Sequence, residues 1–303
     1  ANRARFQIFR ETEFVDKRAS LAFYDALSTA LARGLRVPAD GPARDGADLV
    51  TADFLIGVPL LWAVNRAIWE GRPAAGTEAV ETVETLTAFA LDGLGGQPTG
   101  EHSGGGATRR RLLRAAEAVV GRRGFFETGV ADITRKAGVG LGTFYLHFRS
   151  KQEMLRALVE AINEALRRHV LERAIRPAGP GADRRLVEVL GLLAFFEFIE
   201  QHRDVYRVVR EAEFADEPVA RWYYRRIAEP YARALTEAMA RGEIRKGDPV
   251  ALAYAIMGIG HFIGVRWIVW KENRPGLSKP VLRRLLELVL SGVRPFLGRG
   301  TRT

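Results

Sequence analysis

An all-α fold is what this sequence predicts, and three observations predict it. Apolar residues recur at three- and four-residue spacing along most of the 303 residues. Alternating β-branched runs bounded by hairpin turns, which would mark strands, do not occur in the sequence. Pro, Gly and Asp clusters punctuate the apolar stretches where helices should stop and restart. The length suits about two domains, and 47% hydrophobic residues supply ample core.

Taken in chain order, the first elements are two apolar helices at about 49–71 and 77–94. Residues 95–107 (Gly-Gly-Gln-Pro-Thr-Gly-Glu-His-Ser-Gly-Gly-Gly-Ala) then read as a flexible linker. Next comes a pair of short helices. Ala131–Ala137 places Ile133 and Ala137 on one face at i, i+4 spacing. Gly138 follows, where the chain must turn and glycine accepts positive φ. Leu141–His147 is a second helix, too short to be stable alone. Phe144 and Phe148 should anchor it, which leaves Leu141, Thr143, Tyr145 and His147 towards the outside. Ser150 to Glu153 fits a capping box that starts a long helix from Lys151 towards Arg176. Lys151 stands at that helix's N-terminus, whose free N–H groups favour phosphate.

Charge agrees with a nucleic-acid surface here. Between Thr108 and Lys151 there are ten Lys/Arg and three acids, whereas residues 1–100 hold ten Lys/Arg and thirteen acids. Positive charge is therefore concentrated on the two short helices and their flanks.

The stretch from about Arg109 to Leu155 resembles the DNA-binding domain of the TetR family of bacterial transcriptional regulators. The resemblance is carried by Gly124-Phe125, Asp132-Ile133, Ala137-Gly138-Val139, Gly142-Thr143-Phe144-Tyr145, His147-Phe148 and Ser150-Lys151. It implies that Leu141–His147 enters the major groove of a double-stranded DNA operator. Tyr145, His147 and Lys151 would contact phosphate, and Leu141, Gly142 and Thr143 would face base edges. Glycine stands at positions 129 and 140, where the family commonly starts its two short helices with hydroxyl residues. Gly140 remains a fair N-cap, and Thr128 is expected to replace one lost phosphate contact. With a small Gly142 and an apolar Leu141, phosphate contacts and DNA shape should carry much of the binding.

Arg176-Pro-Ala-Gly-Pro-Gly181 breaks the chain after the long helix. Further helices are expected at about 183–201, 203–213, 217–241, 248–272 and 279–297. The resemblance implies that they form a regulatory domain for a small molecule. An apolar or amphipathic effector is the expectation, with Phe198, Trp222, Tyr231, Met257, His261 and Arg266 as candidate contacts. Most aromatic residues there should simply be core. His261 and Arg266 lie in an apolar helix and must find polar partners, either a ligand or a core or interface group.

The first hundred residues also repeat the last hundred. Arg10-Glu-Thr-Glu-Phe-Val-Asp16 parallels Arg210-Glu-Ala-Glu-Phe-Ala-Asp216. Tyr24 falls on Tyr224, Leu27 to Gly34 on Leu235 to Gly242, and Ile56-Gly57-Val58 on Met257-Gly258-Ile259. Trp69 falls on Trp270, and Leu91 to Leu94 on Leu290 to Val293. Residues 1–94 therefore read as the back half of a second regulatory unit, whose own helix-turn-helix would lie before Ala1. The organisation expected is a partial unit at 1–94, the linker at 95–107, a helix-turn-helix domain at 108–155 and a helical ligand-binding and dimerisation domain at 156–297. The resemblance implies pairing through the last two helices. Those helices occur twice, so the chain is either a homodimer subunit or an intramolecular pseudo-dimer. The seam would be built from Phe54 to Trp69 and Ile256 to Trp270.

The sequence holds no cysteine, so disulfides and thiolate metal sites are excluded. Its five histidines show no metal-ligand spacing, and neither paired carboxylates nor a nucleophile–base set is recognisable. No metal, cofactor, membrane span or enzymatic role is expected, and a cytoplasmic location is. The reading is a ligand-responsive repressor. The alternative is a helical interaction module that pairs with another regulator and binds DNA weakly.

Overall fold

The computed structural model describes residues 16–34, 47–64, 107–179, 181–270 and 276–292. Among these residues there are helices and no strands. The expected helix at 77–94, the linker, Trp69 and most of the Arg10–Asp16 motif lie outside the described residues. In chain order the helices are α1 Lys17–Gly34, α2 Ala47–Ala63, α3 Ala107–Arg123, α4 Val130–Ala137, α5 Leu141–His147 and α6 Lys151–Val170. Then follow α7 Arg184–Gln201, α8 Arg203–Ala215, α9 Glu217–Ala240, α10 Pro249–Ile263 and α11 Lys279–Ser291. A wider π-helical turn extends α6 over Leu171–Ile175, and another extends α10 over Gly264–Val269.

The starts of these helices are written in their caps. Asp248 accepts from the N–H groups of Val250 and Ala251 at 2.8 and 3.1 Å, and Pro249 needs no partner at the first helical position. Asp216 accepts from Val219 N–H at 3.2 Å and caps α9. The equivalent bond recurs at α1, where Asp16 accepts from Ala19 N–H at 3.0 Å. Tyr24 and Tyr224, which the repeat read from the sequence aligns, are both buried.

Two compact units divide the chain. One, the helix-turn-helix unit, takes in 99–177 and 193–227; the other, the paired-helix unit, takes in 1–98, 178–192 and 228–303. The division does not fall at residue 155, the boundary expected from the sequence. Helix α6 stays with the helix-turn-helix because Met154, Leu155 and Leu158 are buried in its core. Helices α7 and α9 each contribute residues to both units.

In the paired-helix unit, α2 packs against α10 and also touches α1 and α11. The approach of α2 to α10 is backbone to backbone. A Cβ added to Gly57 would lie 2.8 Å from Ile259 Cα, and one added to Gly258 would lie 2.2 Å from Gly57 O. Only glycine at both positions allows that crossing. The segment Pro249–Val269 is long and apolar enough to cross a membrane by length and composition, but 89% of its apolar window is buried inside the fold. It is a core helix here: Ala251, Leu252, Ile256, Ile259 and Ile263 are all buried. His261 and Arg266 interrupt the segment without lowering its mean hydropathy below that of a spanning helix.

Polar groups cluster where α10 meets α1 and α2. Arg266 is fully buried and its Nη2 donates to Asp25 Oδ1 at 2.6 Å. Its Nε lies 3.7 Å from Asp53 Oδ2, and Asp53 is likewise fully buried. Asp53 also accepts from Trp267 Nε1 at 2.9 Å and from Ser28 Oγ at 2.5 Å. The guanidinium stacks over the rings of Tyr24 and Phe262 at 5.4 and 5.8 Å.

Candidate nucleic-acid interface

The helix-turn-helix is held from behind by one apolar cluster. Leu112, Ala116 and Val120 of α3, Ile133 and Ala137 of α4, and Phe144 and Phe148 are all buried. Phe144 and Phe148 lie ring to ring at 5.5 Å, and Arg109 stacks on Phe148 at 5.0 Å. Each buried phenylalanine contributes about 1.5–3 kcal/mol of transfer free energy. That anchors a seven-residue helix, α5, which is too short to persist alone.

The turn is set by Gly138 at φ 63° and ψ 42°. Its N–H donates to Arg135 O at 3.2 Å, and Val139 N–H donates to Thr134 O at 3.0 Å, which closes α4 in a Schellman motif. At the other end of α4, Gly129 has no side chain to cap with. Its N–H instead donates to Asp132 Oδ2 at 3.1 Å. That bond, with the Arg123 and Arg135 guanidiniums nearby, holds the Asp132 carboxyl below its usual range.

What faces outward on α5 is largely apolar. Leu141 and Tyr145 are 52% and 53% exposed, and Leu146 is 83% exposed. Gly140 and Gly142 are open, and Thr143 and His147 are half-buried. Leu146 stands one turn after Gly142, so the two share a face. Sequence reasoning missed Leu146; its exposure follows only once Phe144 and Phe148 fix which side of α5 points inward. Exposed Phe126 was missed too.

Two expected contacts change on inspection. Thr128 is 1% exposed and its Oγ1 donates to Gly124 O at 2.6 Å. The hydroxyl closes the loop after α3, so the expectation that it contacts phosphate is corrected. Lys151 Nζ donates to Phe125 O and Thr128 O, both at 2.9 Å, and lies 4.3 Å from the Phe125 ring centre. Partial burial pushes its pKa down, against the nearby Glu127. Two of its three protons are thus engaged by the loop, and one is left for a phosphate. The capping box is half as expected: Ser150 Oγ accepts from Glu153 N–H at 3.1 Å, but the Glu153 carboxylate accepts from Arg149 N–H at 2.7 Å rather than from Ser150.

Helix α8 grips the end of α3. A Cβ on Gly121 would lie 2.7 Å from Asp204 Cβ. Arg207 donates to Arg122 O at 3.1 Å and pairs with Glu211 at 2.6 Å. Glu211 in turn accepts from Phe125 N–H. Asp216 pairs with Arg156 at 2.6 Å, which ties the end of α8 to α6.

The candidate effector contacts do not gather in one unit. Phe198 and Trp222 belong to the helix-turn-helix unit; Tyr231, Met257, His261 and Arg266 belong to the paired-helix unit. The Phe198 ring lies against His202 and His169 at 4.6 and 5.7 Å. Trp222 and Met257 are half-buried, and His261 is buried. Tyr231 donates to Glu188, which also pairs with buried Arg184 at 2.6 Å. Arg266 pairs with Asp25 and Asp53, as a satisfied core or interface group would. Among the described residues, no group of three His, Cys, Asp or Glu could hold a metal.

Residues 112–158 match the profile of the bacterial regulatory proteins of the tetR family. The transcriptional repressor KstR2 of Mycolicibacterium smegmatis is 30% identical over 203 residues, covering 63% of this chain and 94% of that protein. YvdT of Bacillus subtilis, an HTH-type transcriptional regulator, is 32% identical over 143 residues, or 45% of this chain and 70% of that protein. Among solved structures, the regulator FadR of Bacillus subtilis in complex with stearoyl-CoA superposes with a TM-score of 0.51 at 23% identity. The match covers 60% of this chain and 98% of that one. FadR of Bacillus halodurans superposes with a TM-score of 0.53 at 18% identity, over 63% of this chain and 99% of that one. At these identities the structural likeness concerns the fold.

Proposed function

Because the chain belongs to the TetR family of bacterial transcriptional regulators, we propose that it is a ligand-released repressor whose two homologous halves pair within one chain. DNA binding is carried by the outer face of α5, where Leu141, Gly142, Tyr145 and Leu146 stand clear of the core on a strongly basic flank. Tyr145, His147 and the remaining proton of Lys151 meet phosphates, while Leu141 and Leu146 meet thymine methyls or sugars. Such work places the protein in the cytoplasm with the chromosome.

Effector release runs through α8. Arg207 and Glu211 hold the last carbonyls of α3 and the N–H of Phe125, so any shift of α8 shifts the helix-turn-helix. A ligand that binds better when α8 is displaced weakens operator binding by that difference in affinity. An apolar or amphipathic effector, with an acyl thioester as the first to try, suits a helical domain rich in phenylalanine and tyrosine.

In-chain pairing is supported by the meeting of Gly57 with Gly258. These two are equivalents in the repeat read from the sequence, and a residue that meets its own equivalent lies on a two-fold axis. The shared cap bonds of Asp16 and Asp216 support the same reading.

The test is a footprint on the protein's own promoter with the mass of the complex measured. Wild type should protect a site, and Tyr145→Ala should weaken it on every sequence. One chain on an asymmetric site fits in-chain pairing. Two chains on a palindrome would overturn in-chain pairing and leave the operator reading intact. No protection at low salt would sink the repressor reading itself.

A further inference from the structure

The seam between α2 and α10 is not symmetric in charge. Arg266 on α10 is buried and bound to Asp53 on α2 and Asp25 on α1. We propose that this cluster is a pairing-specificity lock, which makes α10 accept the chain's own first repeat and reject α10 of a second copy. The proposal rests on the in-chain pairing proposed above.

The argument follows from the repeat. Gly57 is equivalent to Gly258, so α10 of a second copy would present its residues in the same register as α2. In that register Asp53 is replaced by Tyr254. The residue in place of Asp25 is Arg225 if the register follows Tyr24 and Tyr224, or Arg233 if it follows Leu27 and Leu235. Either choice brings an arginine towards Arg266, and neither brings a carboxylate. A homotypic seam would therefore bury two guanidiniums, one from each copy, with no acid to meet them. The apolar surface of α10 alone offers no such discrimination, since a second α10 is as apolar as α2. Covalent linkage raises the local concentration of the first repeat, and the charge cluster removes the competitor that linkage alone would only dilute.

Asp53 also explains why the acid sits on α2 and not on a loop. It accepts from Ser28 Oγ of α1 and from Trp267 Nε1, so its carboxylate is held in place beside Arg266. The guanidinium is then sandwiched against Tyr24 and Phe262, which leaves it no route to solvent.

The experiment mixes tagged and untagged full chains and measures capture of the untagged copy, with a thermal melt on each sample. The diagnostic variant is Arg266→Met with Asp53→Asn, which removes both charges and keeps an acceptor oxygen for Trp267 Nε1, with an amide that can donate to Ser28 Oγ. It should melt cooperatively and capture a second copy roughly tenfold more than wild type. Asp53→Asn alone should melt lower and capture no more than wild type, because homotypic pairing would still bury the charge. If the double variant captures no more than wild type, or the single variant captures as much as the double, the lock is overturned and in-chain pairing stands. If wild type captures as readily as the double variant, in-chain pairing itself falls. Should the double variant lose its cooperative melt, Arg266→Gln with Asp53→Asn replaces it, and the same outcomes apply.

Discussion

Lys151 belongs to the fold and is proposed to meet phosphate as well. Its ammonium closes the loop after α3 through Phe125 O and Thr128 O and still has a proton to spare. Lys151→Ala is expected to cost about 1–3 kcal/mol of stability, as hydrogen bonds from a charged group do. It should also lower the slope of log affinity against log salt by about 0.9 if the lysine contacts one phosphate. A lost melting temperature with an unchanged slope would assign it to the fold alone. Asp132 makes a pH-dependent contribution. Its carboxyl is held below the usual value by Gly129 N–H and the neighbouring guanidiniums. The stability it supplies is therefore present above the unfolded pKa of 3.8 and is lost as pH falls through the lower folded value. Asp132→Asn should flatten that acid limb in urea melts taken across the range. Much of this scale was legible beforehand: Gly138, Phe144 and Phe148 do what their spacing implied. Thr128 was not legible, because a threonine before a helix reads as a cap or a phosphate ligand until the chain path turns its hydroxyl back to Gly124 O.

The helices depend on where they touch. Helix α10 passes α2 at Gly258, and a methyl there would meet Gly57 O at 2.2 Å. Gly258→Ala should destabilise by about 1–3 kcal/mol or more through forced backbone movement. Gly191 in α7 is the control, because a methyl there meets nothing within 4 Å. Gly191→Ala should stabilise by about 0.5–1 kcal/mol from lower backbone freedom in the unfolded chain. Denaturant midpoints of the two variants moving in the same direction would remove the seam argument. Helix boundaries from α7 to α10 could be read to within a few residues, since Asp, Pro and Gly mark them in the sequence. The grip of α8 on α3 could not, because Gly121, Arg207 and Glu211 carry no local signal of their long-range partners.

At the scale of the molecule, in-chain pairing makes a thermodynamic claim. A seam formed within one chain gives a melting temperature independent of protein concentration, whereas a homodimer seam gives one that rises with it. Scans over a hundredfold dilution should therefore superimpose, and a steady rise would refute in-chain pairing. The sequence by itself determined the family and the all-α class, and it is the source of the proposed reading helix and the proposed repeat. Each of these rests on residues close in the chain or on direct comparison of two segments. Only the tertiary structure decided which face of α5 is open, that Thr128 is closed off, and that Arg266 is neutralised by Asp25 and Asp53. Those outcomes depend on contacts between residues as far apart as 25 and 266, and on burial that no local pattern encodes.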